Sequence, residues 1–341
     1  MSKKTTIQDI AQALNTTVST VSRALSGHPG ISDAMKKNVR RVAKELNYSQ
    51  NKIASSLRSG RTHIIGVIVP DAQLSFFASV IHGIEKVMNK NGYTVLLYQS
   101  GESYAHEVKG VKTLLQSRVD GIIASASFET EDYTHFQDAI DQGTPLVFFD
   151  RVTDKVNVPS VFIDDHKGGF MATEHLIQQG YKRIAYIAAR QNVGIFKKRL
   201  NGHYEALRQY GLPVSEELVV FGDVSIESGR RCIKQLLALP KPPDAIVAVE
   251  DFTALGAIQE LKARNINIPE EVGVIGFANE AFSAYITPSL STIDQQTIAM
   301  GEEAAKILLE WRQKTSGTKA MKKVILDPVL IARQSSMRNV S

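Results

Sequence analysis

The chain has 341 residues, of which 43% are hydrophobic and 22% are charged. This length and balance suit two or three domains with buried cores, and they exclude a disordered or fibrous protein. No apolar run approaches the roughly 20 residues that cross a bilayer, so no contact with a membrane is expected. The single cysteine, Cys232, excludes an internal disulfide. Because the opening residues lack the apolar segment of a signal peptide, a cytoplasmic protein is predicted.

Positive charge is concentrated at the N-terminus. Residues 1–63 hold 11 Lys and Arg against 3 Asp and Glu, a net charge of +8, whereas the whole chain carries only +5. A segment this basic indicates a polyanionic partner such as a nucleic acid. A solvated basic tail would have the same charge, so the residue pattern must decide between the two interpretations.

The first 50 residues carry apolar side chains at helical spacing, and capping residues precede each run. Thr6 and Asp9 form a capping-box pattern before the first helix, and Thr17 and Ser32 are predicted to cap a second and a third. The loop SGHPG separates the last two helices. Two short helices joined by a tight turn in a basic module predict a helix-turn-helix, whose second helix enters the major groove of DNA.

Longer motifs carry a family resemblance. They are TIQDIAQALNTTVSTVSRAL, then ELNY, NKIASSLRSGRT and IIGVIVPD, and finally LIARQSS near the C-terminus. Together these motifs resemble the LacI/GalR family of transcription regulators along nearly the whole chain. TVSRAL followed by the hinge-like segment is far more specific than a helix-turn-helix pattern alone. One departure is NTT at residues 15–17, where the family usually has a GVS-like turn.

The resemblance implies a DNA-binding headpiece over residues 1–50. Val18 and Ser19 match the variable positions of the recognition helix, and Arg23 matches a base-contacting arginine. An exposed Arg can donate two hydrogen bonds to guanine, whereas Val18 offers only an apolar contact. For Arg23 the alternative is an ordinary surface charge. The expected DNA contacts are Thr6, Thr17, Val18, Ser19, Thr20, Ser22, Arg23, His28, Asn51, Ala54 and Leu57.

Residues 51–62 form a polar segment that is too short for a stable isolated helix, so taken alone the segment is predicted to be a linker. The resemblance implies a hinge helix that forms when a dimer occupies its operator. Ala54 then matches the small residue between paired helices, and Leu57 matches the leucine wedged into the minor groove, where an apolar wedge bends DNA. A flexible tether is the alternative.

From residue 63 onward, short apolar strands alternate with amphipathic helices. The predicted strands are IIGVIV, TVLLY, GIIA, PLVFF, SVFI, RIAYIA, LVVF, DAIVAV and VGVIGF. This alternation predicts parallel sheets covered by helices, with ligands at the carboxyl ends of the strands. The resemblance implies an α/β effector domain like the type I periplasmic sugar-binding proteins, with two parallel-sheet subdomains. It places the first over about 63–162 and 293–321, and the second over about 163–292 and 322–338.

No enzyme motif stands out in this domain. It has no GxGxxG dinucleotide turn, GxxxxGK[ST] phosphate loop, GxSxG elbow or HExxH zinc helix. The tightest polar cluster, Asp164, Asp165 and His166, lies between a strand and a helix, where capping explains the carboxylates more simply than a metal. No catalytic residue, metal site or cofactor is predicted.

Candidate effector-binding residues follow the predicted strands. By the resemblance, the positions that match the family's cleft are Phe76, Phe77, Asp150, Arg199, Glu250, Asp251 and Asn279. Aromatic faces suit a sugar or a base, and charged groups supply strong hydrogen bonds. The two phenylalanines could instead face the core, and each carboxylate could instead be a cap or a surface ion pair.

Two positions depart from the family pattern. GFANE, with Ala278 and Asn279, replaces the usual GFDD or GYDN, whose first Asp often binds the effector. Val224 stands where several relatives have an aromatic residue over the ligand. Either Asn279, Glu280 or Glu250 compensates for the missing carboxylate, or the effector is not a simple sugar.

These patterns predict a sequence-specific transcription regulator, a repressor that binds a pseudo-palindromic operator as a homodimer under the control of a sugar-like effector. Only residues 337–341 follow LIARQSS, too few for a tetramerising coiled coil, which favours the dimer. Two alternatives stay open. One is control by a phosphorylated carrier protein, and the other is a solute-binding protein of the same fold, which should carry an export signal and lack the basic headpiece.

Overall fold

The computed structural model describes residues 5–48, 61–189, 194–313 and 321–338. The chain falls into two compact units divided between Thr62 and His63, the position at which the sequence places the start of the effector domain. Three residues of the predicted hinge, Asn51, Ala54 and Leu57, lie outside the described residues.

The N-terminal unit consists of the helices α1 (Ile7–Ala13), α2 (Val18–Leu25) and α3 (Asp33–Glu45). Each begins at its predicted cap, because the hydroxyl groups of Thr6, Thr17 and Ser32 accept hydrogen bonds from first-turn amides. The helices enclose a small core of Ile10, Ala11, Val21, Ala24, Val39, Val42 and Ala43. The predicted helix-turn-helix is confirmed.

The turn between α1 and α2 forms without glycine. Asn15 has a φ of 46°, in the left-handed region that asparagine tolerates better than most residues. The amide of Thr16 then donates to the carbonyl of Ala11 over 2.9 Å and closes the end of α1. The departure from the family's GVS-like sequence therefore leaves a tight turn in place.

The larger unit contains two parallel sheets with helices on both faces. The strands of the first sheet are β1 (Ile64–Val69), β2 (Thr94–Gln99), β3 (Ile122–Ala124), β4 (Leu146–Phe149), β5 (Ser160–Ile163) and β11 (Lys323–Leu326). Within the described residues their order is β11–β5–β4–β3–β1–β2. The accompanying helices are α4 (Ser75–Lys90), α5 (Tyr104–Gln116), α6 (Thr134–Asp141) and α11 (Thr297–Gln313).

The strands of the second sheet are β6 (Ile184–Ala189), β7 (Val219–Gly222), β8 (Ala245–Ala248) and β9 (Gly273–Ile275), in the order β7–β6–β8–β9. Its helices are α7 (Asp165–Gln178), α8 (Gly194–Gln209), α9 (Ile226–Leu237) and α10 (Asp251–Ala263). Two further strands, β10 (Thr292–Asp294) and β12 (Val329–Ile331), pair antiparallel. The predicted α/β architecture with two parallel sheets is confirmed.

Strand β11 corrects one predicted boundary. It pairs with β5 from Lys323 to Leu326 and so belongs to the first sheet, whereas the boundary between residues 321 and 322 had placed it in the second subdomain. Strand β5 likewise extends through Ile163, one residue beyond the predicted end. The sequence KVIL shows only an alternation of exposed and half-buried residues, and that pattern does not indicate which sheet an edge strand will join.

The helices α7 and α8 approach each other closely because glycines face the contact. A Cβ atom at Gly169 would overlap the carbonyl of Arg199, and one at Gly202 would overlap the carbonyl of His166. This close packing places Arg199 in the interior, where its side chain is only 3% exposed.

Candidate functional site

Helix α2 presents a polar and basic surface. Val21 and Ala24 face the core, whereas Val18, Ser19 and Arg23 are exposed. Val18 is 40% exposed, although it is apolar, and Arg23 forms no ion pair within residues 5–48. An apolar side chain near an uncommitted guanidinium suits contact with a thymine methyl group and a guanine edge.

The other expected DNA contacts of the N-terminal unit lie at helix caps and in the loop after α2. The hydroxyl of Thr17 lies 2.9 Å from those of both Ser19 and Thr20. Thr6 is held in its capping box, with Oγ1 donating to Asp9 over 2.8 Å. His28 is exposed, and its Nδ1 accepts a hydrogen bond from the amide of Gly30. Ser22 is half-buried on α2.

A cavity of about 330 Å³ lies between the two sheets of the larger unit. Most of its lining segments follow strand ends, which is where parallel α/β sheets bind ligands. The lining residues are Leu74, Phe76, Phe77, Glu102, Phe128, Asp150, Arg151, Ile195, Phe196, Arg199, Asp223, Val224, Ser225, Glu250, Phe252, Ala278, Glu280 and Gln295. Five of the seven predicted effector residues are among them: Phe76, Phe77, Asp150, Arg199 and Glu250.

The remaining two predicted residues, Asp251 and Asn279, do not line the cavity. Asp251 is fully buried and accepts hydrogen bonds from the amide of Glu280 and the hydroxyls of Ser283 and Thr292, at 2.7–2.9 Å. It thus organises the loop after β9.

The side chain of Asn279 also forms hydrogen bonds within the protein. Its amide nitrogen donates to Asp294 over 2.8 Å, and its oxygen accepts from Arg333 over 2.8 Å. The residues of this turn that line the cavity are Ala278 and Glu280, on either side of Asn279. The carboxylate that GFANE lacks is therefore not replaced by Asn279.

Among the described residues two arginines line the cavity, and both are held by other protein groups. Arg199 donates to Asp165 over 2.8 Å, to the carbonyl of Val249 over 3.0 Å and to the Gln295 side chain over 3.1 Å. Its guanidinium also stacks on the ring of Phe277 at 3.6 Å. The result is a rigid, fully desolvated cation at the floor of the cavity.

Arg151 has an equally defined position. Two of its nitrogens donate to the carboxylate of Glu102 over 2.8 and 2.9 Å, and its guanidinium stacks on Phe128 at 3.6 Å. Bidentate pairing combined with stacking on an aromatic ring is a geometry that Lys cannot reproduce. The pair joins the loops that follow β2, β3 and β4.

Carboxylates in the cavity are strongly affected by burial. Burial raises the pKa of Asp150 to about 6, against the opposing effect of Arg151. The pKa of Glu250 lies well above its usual range because of burial and the neighbouring Asp251. Burial raises the pKa of Asp251 to about 6 as well, although three hydrogen bonds favour its ionised form.

Aromatic rings form the apolar part of the walls. Phe77 is only 2% exposed and packs in the core, whereas Phe76 is half-buried. The two rings meet edge to face at 5.0 Å. Across the cavity, Phe128 and Phe196 approach to 6.1 Å from opposite sheets. Both phenylalanines of α4 therefore line the cavity, with Phe77 shared between cavity and core.

Known proteins resemble the chain over nearly its full length. The family model of bacterial regulatory proteins of the lacI family matches residues 6–51, and that of periplasmic binding proteins and the sugar binding domain of the LacI family matches residues 62–326. Catabolite control protein A of Priestia megaterium is 31% identical over 91% of this chain and 93% of its own. The repressor CytR of Escherichia coli K12 is 31% identical over 90% of each chain. The solved complex of the transcriptional regulator CelR with cellobiose is 28% identical, covers 97% of this chain and 100% of its own, and has a TM-score of 0.72.

The chain belongs to the LacI family. The predicted resemblance is confirmed, and the protein is a DNA-binding transcription regulator with a sugar-binding type of effector domain. Its relatives are transcription regulators, which are not enzymes. The solute-binding alternative is not favoured, because the LacI DNA-binding domain precedes the effector domain.

Several cavity residues of this LacI-family protein were not predicted. The most prominent are Glu102, Phe128, Arg151, Phe252 and Glu280, of which only Glu280 had been considered as a substitute for the missing Asp. All of them lie within a few residues after the end of a strand, and this position is the sequence signal that indicates them. The same signal also applies to residues whose side chains point away from the cavity.

The cluster at residues 164–166 is structural. Asp164 caps α7 by accepting the amide of Lys167 over 2.9 Å, as predicted, while Asp165 pairs with Arg199. His166 lies 3.1 Å from Glu205. In the part of the chain that the structure describes, no group of three His, Cys, Asp or Glu side chains could hold a metal ion, and no helix has the length and apolar character to span a bilayer.

Proposed function

We propose that this protein is a dimeric repressor that binds a pseudo-palindromic operator, and that a small molecule in the cavity controls its affinity for DNA. The observation that carries the proposal is the cavity itself, whose walls come from both sheets. A ligand that contacts both sheets binds one arrangement of them more tightly than another, and this difference is what allosteric control requires. The regulator acts in the cytoplasm, with chromosomal DNA as its partner.

On the DNA side, α2 supplies the base contacts. Arg23 contacts guanine, and Val18 and Ser19 occupy the variable positions that choose between operators, where Val18 offers an apolar contact. The hydroxyl groups of Thr20 and Ser22 contact phosphates. The exposure of Val18 and Arg23 supports this assignment. The hinge contacts of Asn51, Ala54 and Leu57, with Leu57 inserted into the minor groove, complete the proposed interface.

On the effector side, we propose a small ring-shaped ligand related to sugars. The aromatic rings and buried charged groups of the cavity support it, and so does the match to a sugar-binding domain. CelR has been solved with cellobiose. Control by a phosphorylated carrier protein is not favoured, because the cavity offers a site for a small molecule. Of the seven predicted residues, we retain Phe76, Phe77, Asp150, Arg199 and Glu250 as ligand contacts, and assign Asp251 and Asn279 to loop structure.

Dimerisation is supported by an apolar sheet edge. Strand β2 lies at one end of the first sheet in the described residues, and Leu96 and Leu97 on it are 38% and 42% exposed. A second copy of the chain would cover these leucines. Two headpieces are also what a pseudo-palindromic operator requires, because each half-site receives one recognition helix.

Selection of DNA from a random library by the full-length protein tests the proposal. We expect a pseudo-palindromic sequence whose affinity falls steeply with salt, as release of ions from phosphates requires. Arg23→Ala should lose the preference for one base pair in each half-site, whereas Lys37→Ala, on α3, serves as a matched charge control. Selection of sequences without symmetry, or an affinity indifferent to Arg23, would refute operator reading by α2.

A further inference from the structure

The cavity wall formed by the second sheet carries two carboxylates that have no cationic partner among the described residues. Glu250 accepts a hydrogen bond from the amide of Phe252 over 2.7 Å, and Glu280, which is 7% exposed, accepts one from the hydroxyl of Ser75. Within the described residues neither carboxylate forms an ion pair. Buried charges in folded proteins are normally paired, so this wall has acidic groups that no cation of the described residues offsets.

The opposite wall of the cavity carries a third carboxylate, that of Asp150. Asp150 is 7% exposed, accepts no side-chain hydrogen bond within the described residues, and has its nearest cation, Nε of Arg151, at 3.8 Å from Oδ2. The described arginines that line the cavity, Arg151 and Arg199, are paired with Glu102 and Asp165. Arg151 offsets the charge of Asp150 in part, whereas neither arginine forms an ion pair with Glu250 or Glu280.

The apolar part of the cavity is also suited to a cation. The rings of Phe76, Phe128, Phe196 and Phe252 line it, and the face of an aromatic ring attracts a cation within about 6 Å of its centroid. Aromatic faces combined with Glu250 and Glu280, which form no ion pair within the described residues, favour a positively charged group on a ring-shaped ligand. A phosphate would meet carboxylates at both walls, and the described arginines that line the cavity are already paired with Glu102 and Asp165.

We propose that the effector carries a protonated amine, held between Glu250 and Glu280 on one wall and Asp150 on the other. An aminated sugar or a cationic nitrogen ring fits this chemistry, whereas neutral sugars and sugar phosphates are discriminated against. The inference rests on the proposed function, because it takes the cavity as the effector site and specifies the charge of its ligand.

Matched sets of compounds test the inference on the full-length protein. Each set holds one ring in three forms, for example glucose, glucosamine and glucose 6-phosphate, or galactose, galactosamine and galactose 6-phosphate. Binding is measured by calorimetry at about pH 6.5, more than one unit below the pKa of about 7.7–8.0 of an α-amino group, so that a sugar amine is largely protonated. A charge-assisted hydrogen bond is roughly twice as strong as a neutral one, so the amine should bind about tenfold or more tightly than the hydroxyl form. A preference for the neutral or phosphorylated form, or no binding by any amine, overturns the proposal.

Two variants test whether the preference for the amine depends on the carboxylates of the wall formed by the second sheet. Glu250→Gln keeps an oxygen that can cap α10 but removes the charge, so the preference for the amine should shrink toward the neutral form. Glu217→Gln is the matched control, because it makes the same change at an exposed carboxylate that pairs with Arg183 over 2.6 Å and does not line the cavity. An unchanged preference in Glu250→Gln contradicts the inference. The proposed function fails separately if bound ligands of every charge leave operator affinity unchanged.

Discussion

Replacing Asp150 with asparagine tests the electrostatics of the cavity most directly. Asp150 has a φ of 60°, in the left-handed region that asparagine also adopts readily, so the backbone should be preserved. The two side chains are nearly the same size, and within the described residues no side-chain hydrogen bond to the carboxylate is lost. The substitution therefore removes a buried titratable charge with little other change.

The size of the effect follows from the pKa of Asp150, which burial raises from 3.8 to about 6. The folded state then binds this proton more tightly than the unfolded state. Ionised Asp150 destabilises the fold at about pH 8, by about 3 kcal/mol as an upper figure, and this penalty disappears as the pH falls through about 6 toward about 4. A neutral amide at this position would carry no such penalty at any pH, so we expect Asp150→Asn to be more stable than the wild type by about 1–3 kcal/mol at about pH 8.

Urea unfolding followed by tryptophan fluorescence provides the assay. Trp311 is the only tryptophan of the chain and lies in α11, so its signal reports on the larger unit. The stability difference between variant and wild type should be largest at about pH 8 and much smaller at about pH 4.5. Asp154→Asn is the control, because that exposed carboxylate pairs with Lys323 and its pKa is lowered. A difference that is the same at both pH values would refute the conclusion that burial raises the pKa of Asp150.

Three further predictions concern packing, the buried cation and DNA. Gly202→Ala should destabilise the larger unit by about 1–3 kcal/mol in urea unfolding, because the methyl group meets α7, whereas Gly194→Ala in the same helix meets nothing and should be neutral or slightly stabilising. Arg199→Ala should cost about 3–5 kcal/mol in the same assay, since it leaves a buried carboxylate unpaired, and a loss below about 1 kcal/mol would contradict the ion pair. Leu57→Ala should weaken operator binding in a fluorescence titration and leave effector affinity intact, and unchanged operator affinity would refute the proposed wedge.

The headpiece could be predicted closely because its signals are local. A cap such as Thr6, Thr17 or Ser32 forms hydrogen bonds within its own first turn, so the residue type and its position predict the helix start without knowledge of the rest of the fold. The burial of Val21 and Ala24 follows equally from their spacing along α2. These predictions needed no contact between distant parts of the chain.

The cavity could be predicted only in part, because strand ends identify segments and not side-chain directions. Glu250 and Asp251 are neighbours after β8, yet the first faces the cavity and the second points into the loop after β9. The same holds for Ala278 and Asn279. Which neighbour faces the ligand depends on side-chain hydrogen bonds to residues 15–54 positions away, and these long-range contacts leave no local pattern in the sequence.

The hydrogen bonds around the cavity also indicate how ligand charge reaches the rest of the effector domain. The hydroxyl of Ser75, at the start of α4 on the first sheet, bonds to Glu280 after β9 of the second, and Arg199 on α8 bonds to Gln295 where the chain returns toward the first sheet. A cation placed beside Glu280 competes with Ser75 for the same carboxylate, whereas a neutral ligand leaves that bond intact. We therefore expect an amine to act on the contact between the sheets as well as to fill the cavity.

The variant Ser75→Ala should separate the two effects, because it removes the hydrogen bond to Glu280 without changing the charge of the wall. Amine affinity should be retained or increased. The amine should alter operator affinity less than it does in the wild type. Equal responses of operator affinity in both proteins would show that this bridge does not transmit the signal.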